Sequence, residues 1–122
     1  MNIQGNTMIL RIYIGSTDQY KQQPLYEYLI FEAKRKGLAG ATAIKGVMSF
    51  GASSVIHSYK FWEVSDKVPL VIELVDEEEK LTGFYNTIKE ILLSMKYGCM
   101  VTMDKTSVLL YKHGDQKMNP KQ

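Results

Sequence analysis

Two stretches of the chain, residues 8–14 and 70–75, alternate tightly enough to be strands with one dry face each. In the first, Met8, Leu10, Ile12 and Ile14 share an apolar face, while Ile9, Arg11 and Tyr13 share the other. In the second, opened by Pro69, Leu70, Ile72 and Leu74 are apolar and Val71, Glu73 and Val75 lie opposite. An apolar strand face must be covered, and each strand is followed by a helix that can cover it. Pro24 suits the first turn of a helix running to about residue 36, with Leu25, Leu29 and Ala33 on one stripe and Gly37 as a left-handed stop. Asp76 and Glu79 have capping-box spacing for a second helix, which carries Leu81, Phe84, Tyr85, Ile88, Ile91, Leu92 and Met95 inward and stops at Gly98. Each helix leads into a further strand, residues 41–45 and 99–103.

The order is therefore β-α-β, loop, β-α-β, an α+β chain of ferredoxin-like, split βαβ plan. In its antiparallel sheet the two alternating strands are central neighbours, and both helices cover one face. The other face lies bare. It holds Ile9, Arg11, Tyr13, Val71 and Glu73, half apolar with a matched pair of charges, which reads as an interface between subunits. Arg11 and Glu73 are expected to meet there. Asp104-Lys105 reads as a turn and residues 107–111 as a short last strand. The polar ends, residues 1–7 and 114–122, read as flexible, leaving 8–113 as one domain.

At 122 residues the chain is one domain able to bury a core without disulfides or a structural metal. The net charge of +2 is spread out, and Lys34-Arg35-Lys36 sits where cations favour a helix C-terminus, so nucleic acid is not an expected partner. A single cysteine, Cys99, excludes an intramolecular disulfide and points to a reducing cytoplasm. No apolar run approaches about 18 residues.

Between the halves lies Lys45-Gly46-Val47-Met48-Ser49-Phe50-Gly51-Ala52-Ser53-Ser54. Small residues let a backbone turn tightly around an anion. Gly46, Gly51, Ser53 and Ser54 offer N–H and hydroxyl donors, Lys45 a positive charge, and Phe50 a ring to stack on a base. No P-loop or dinucleotide signature is present. Residues 55–64 are β-branched and aromatic and read as a projecting strand or hairpin arm, with Phe61 and Trp62 as a handle for a neighbour or partner. His57, following the serines at the base of the loop, is a candidate ligand-binding residue through hydrogen bonding or pH sensing, and has no metal-ligand spacing with the other histidine, His113. An enzyme using the Gly/Ser loop as an anion hole, with His57 as base, is the alternative to a binding module. No complete acid–base constellation accompanies it.

Several runs together resemble an uncharacterised PII-like family related to the PII nitrogen-signalling proteins. They are Leu10-Arg11-Ile12-Tyr13-Ile14-Gly15, Pro24-Leu25-Tyr26, Gly37-Leu38-Ala39-Gly40-Ala41-Thr42, Gly51-Ala52-Ser53-Ser54-Val55-Ile56-His57 and Pro69-Leu70-Val71-Ile72-Glu73-Leu74-Val75-Asp76. The resemblance spans residues 10–112. It implies a homotrimeric, non-enzymatic regulatory protein, with a small anion or adenine nucleotide bound in inter-subunit clefts near residues 45–57. Lys45-Gly46 is similar to the Lys-Gly entering the PII loop, and Lys112-His113-Gly114 resembles the Arg-Thr-Gly ending the last PII strand, which adds Lys112 to the site. The Thr-Gly-x-x-Gly-Asp-Gly-Lys segment of PII proteins is absent. Lys96-Tyr97-Gly98-Cys99-Met100 stands in its place, and Leu110 replaces a phosphate-contacting arginine. Each missing cationic contact is worth about 1.5–3 kcal/mol, so a smaller or less charged ligand, such as a nucleoside monophosphate, is the easier fit. Association of some relatives with fluoride channels implies a structural adaptor, or a membrane transporter or channel as partner.

Overall fold

The computed structural model of the chain describes residues 6–51, 57–58 and 68–114. Residues 1–5, Ser53, Ser54, Phe61, Trp62 and the tail from 115 lie outside the described residues. The strands are β1 (Thr7–Gly15), β2 (Gln19–Tyr20), β3 (Gln23–Pro24), β4 (Gly40–Lys45), β5 (Met48–Ser49), β6 (His57–Ser58), β7 (Pro69–Glu77) and β8 (Met100–Lys105). The helices are α1 (Leu25–Arg35), between β3 and β4, and α2 (Glu78–Ser94), between β7 and β8. The main sheet has the order β4-β7-β1-β8, all antiparallel. The two alternating strands are its centre, registered from Thr7 opposite Glu77 to Gly15 opposite Pro69.

Alternation builds the core. Leu10 and Ile12 of β1 and Ile72 and Leu74 of β7 are at most 1% exposed, against Leu25 and Leu29 of α1 and Leu81 and Ile88 of α2. Each such side chain contributes about 1.5–3 kcal/mol on burial. Gly37, at φ +78°, ends α1 as expected. Its N–H donates to the Lys34 carbonyl at 3.0 Å and the Leu38 N–H to that of Ala33 at 3.1 Å, the paired bonds of a Schellman stop. Pro24 is the residue before the helix rather than in its first turn.

Further expectations need correction. Helix α2 ends at Ser94 rather than at Gly98, because Met95 already adopts extended backbone. Asp76 does not cap α2. Strand β7 runs on to Glu77, and Asp76, opposite Met8 on the helix side of the sheet, is buried. Its carboxylate accepts the Ala39 N–H at 2.8 Å and the Glu77 N–H at 2.6 Å, tying the entry of β4 to the start of α2. Asp104-Lys105 is not a turn, because Asp104 pairs with Ile9 and Lys105 with Met8, prolonging β8 along β1. Residues 107–111 form no strand. After the Thr106 N–H donates to the Thr7 carbonyl at 3.0 Å the chain leaves the sheet edge, exposing Leu109 and Leu110, and the Tyr111 hydroxyl donates to the Ala39 carbonyl at 2.6 Å. Thr7, expected in a flexible lead, begins β1 and is buried.

On the helix-free face Arg11 Nε donates to Glu73 Oε2 at 2.9 Å, and a second guanidinium nitrogen donates to Asp104 Oδ2 at 3.0 Å. The hydrogen bond to Glu73 is the chief reason that the Arg11 pKa is raised from its ordinary value. One arginine thus ties three adjacent strands. One row towards the Gly15 end, Ile44, Val71, Tyr13 and Met100 lie side by side across the sheet. Ile44 and Met100 are both exposed.

Candidate functional site

At this end of the sheet three strand ends and the segment leading into a fourth strand converge. Gly15 closes β1, Pro69 opens β7, Lys45 ends β4, and Gly98-Cys99 precedes β8. The chain leaving β4 is fastened before it departs, because the Gly46 N–H donates to the Pro69 carbonyl at 2.8 Å. A side chain at Gly46 would place its Cβ 2.9 Å from Pro69 Cγ, so glycine is what lets these two backbones close up. Beyond it, Met48 pairs with Ser58 and Ser49 with His57, so the described part of the projecting segment is a hairpin.

Between the hairpin base and the sheet end lies a cavity of about 340 Å³. Tyr13, Val71 and Met100 contribute from neighbouring positions of the helix-free face, and Met48, Ser49, Phe50 and Gly51 from the departing chain. Gly15, Gly46, Gly98 and Cys99 complete the side nearest the strand ends. The volume falls near the lower end of small-molecule sites. The Gly15 N–H donates to the buried Asp18 carboxylate at 2.9 Å. Burial, and then the charge of Asp18, pushes the Cys99 thiol up, so it stays protonated and neutral.

Of the ligand residues expected from sequence, Gly46, Phe50 and Gly51 meet at this cavity. Gly46, however, cannot serve as an anion donor, because its N–H is engaged by Pro69. Lys45 is exposed at the end of β4 and is not part of the described lining. Lys112 is not brought to it within one protomer. Tyr111 bonds Ala39, just before β4 begins, whereas Lys45 ends that strand, so the two lysines belong to opposite ends of the sheet. Ser53 and Ser54 lie outside the described residues, and His57 enters as the backbone partner of Ser49. Tyr13, Val71, Met48, Cys99 and Met100 were not expected at a ligand site. Tyr13 and Val71 share a face by alternation, and alternation alone does not tell a ligand wall from a subunit interface.

A family model, DUF190, described as Uncharacterized ACR, COG1993, matches residues 7–108. A UPF0166 protein of Aquifex aeolicus (strain VF5) is 31% identical over 101 residues, covering 83% of this chain and 91% of that protein. A UPF0166 protein of Methanocaldococcus jannaschii is 30% identical over 84 residues, covering 69% and 77%. Among solved structures the fold is similar to CPII, a nitrogen regulatory PII-like protein from Thiomonas intermedia K12 bound to ADP, AMP and bicarbonate. The TM-score is 0.60 at 13% identity, over 86% of this chain and 92% of that one. A putative PII-like signaling protein from Thermus thermophilus has a TM-score of 0.55 at 20% identity, over 82% and 86%. These likenesses show the expected ferredoxin-like, PII-like fold.

Proposed function

Since the chain belongs to the DUF190 family, we propose that it is a regulatory protein that senses a small ligand and works as a homotrimer. The observation that carries this reading is the cavity under the hairpin base, where Gly46, Phe50 and Gly51 meet the sheet end. CPII, which shares the fold, is bound to ADP, AMP and bicarbonate, and this supports an adenine nucleotide or a small anion as the ligand here. The helix-free face supports self-association, because its Ile44 and Met100 are exposed beside the Arg11–Glu73–Asp104 cluster. Tyr13, Val71 and Met100 belong to both that face and the cavity, so a neighbouring copy packed on the face would stand beside the ligand.

The hairpin base suits a sensor. It is pinned at Gly46, while Phe50 just beyond is 76% exposed. A ligand stacked under Phe50 withdraws that ring from solvent, and a partner that grips the exposed Val47, Met48 and Phe50 meets a different surface when the cavity is filled. A membrane transporter or channel is the partner class proposed for this arm.

The test is thermal-shift measurement with AMP, ADP, ATP and bicarbonate. At 100 times its dissociation constant, the true ligand adds about 2.7 kcal/mol of stability. For a domain of this size that is a rise of several degrees or more in Tm. No shift with any of the four would remove ligand sensing and leave a ligand-independent adaptor.

A further inference from the structure

The chemistry of the cavity wall narrows what it can hold, on the premise above that this cavity is the ligand site. Among the described residues that line it, none carries a charged side chain. Two of the backbone donors in the lining, the N–H groups of Gly15 and Gly46, already donate to Asp18 and Pro69. An anion placed here would lose its water without gaining a cation among the described lining residues in return. What the wall does offer is two aromatic rings, Tyr13 and Phe50, and two thioethers, Met48 and Met100. Rings and sulfur both favour contact with a flat aromatic partner over an aliphatic one. The Tyr13 and Ser49 hydroxyls supply the few polar groups that orient such a guest.

We propose that the cavity takes the flat, uncharged ring of its ligand, a purine or similar heteroaromatic base, and that anionic groups remain outside it. A charged tail outside the cavity is left to solvent, since Lys45, opposite Leu70 in the register, belongs to the helix side of the sheet. The ring then supplies most of the affinity and the tail a smaller part. A nucleoside should be recognised almost as well as its monophosphate.

Calorimetric titration of the full chain with adenosine, AMP, orthophosphate and bicarbonate decides the matter. Adenosine should bind with a dissociation constant within about tenfold of that for AMP, and orthophosphate and bicarbonate should give no saturable heat. Raising sodium chloride from about 50 to about 500 mM should change the adenosine constant less than roughly threefold, since no ion pair is screened. Phe50→Ala, at an exposed position that folding does not need, should weaken adenosine roughly tenfold or more, and Phe50→Tyr should restore it. AMP or orthophosphate binding while adenosine stays silent would overturn the proposal and leave ligand sensing standing. An unaltered adenosine affinity in Phe50→Ala would also overturn it, by placing the ring elsewhere. Silence from all four ligands would overturn both.

Discussion

Replacing Asp76 by alanine is expected to cost about 3 kcal/mol of folding stability. Its carboxylate is 1% exposed, accepts two backbone N–H groups from Ala39 and Glu77, and has Lys80 Nζ 3.7 Å away. A hydrogen bond to a charged acceptor is worth about 1.5–3 kcal/mol, and alanine leaves both donors without that acceptor. The loss should concentrate where β4 and α2 are tied together. Asp76→Asn retains one carbonyl oxygen and should lose roughly half as much. Urea unfolding measures both, with the denaturant slope unchanged if only stability has moved. A loss for Asp76→Ala below about 1 kcal/mol would mean that water replaces the carboxylate and that the tie is incidental.

The second large effect is expected from Gly46→Ala. The new Cβ would lie 2.9 Å from Pro69 Cγ and 3.3 Å from Pro69 Cβ. A proline ring cannot swing aside, so the departing chain must move, lengthening the Gly46–Pro69 bond and shifting Met48 and Phe50 over the cavity. Overpacking of this kind costs about 1–3 kcal/mol. The ligand should feel it more than the fold does, with affinity falling roughly tenfold or more. Gly51→Ala is the control. Nothing lies within 4 Å of a Cβ there, so stability should be unchanged within about 0.5 kcal/mol. Equal behaviour of the two variants in urea unfolding would remove the fastening role given to Gly46.

The architecture was legible because its determinants are local. Alternation over residues 8–14 and 70–75 set the central strand pair and faced Arg11 towards Glu73, and a glycine at φ +78° ended α1 where a glycine was expected. Failures came where a residue's partner is distant in sequence. Asp76 and Glu79 have the spacing of a cap, but the carboxylate is taken by Ala39, 37 positions earlier. Asp104 looked like a turn residue, although two more steps of alternation past Thr102 would have put it beside Arg11. The site suffered in the same way. Its wall is drawn from four separate stretches, around Tyr13, Phe50, Val71 and Cys99, and only the glycine-serine stretch has a signature in the sequence. Composition there suggested an anion, whereas the hydrogen bonds of Gly15 and Gly46 show two of the donors already engaged.

That the ligand sits under the hairpin base, at the Gly15 end of the sheet, is tested most directly by backbone amide chemical-shift mapping during titration with AMP. The account predicts saturable shifts at Gly15, Gly46, Phe50, Gly51, Gly98 and Met100, with Ala39, Gly40 and Tyr111 at the far end of β4 unmoved. Shifts confined to Ala39, Tyr111 and Lys112, with Gly46 and Phe50 still, would contradict it.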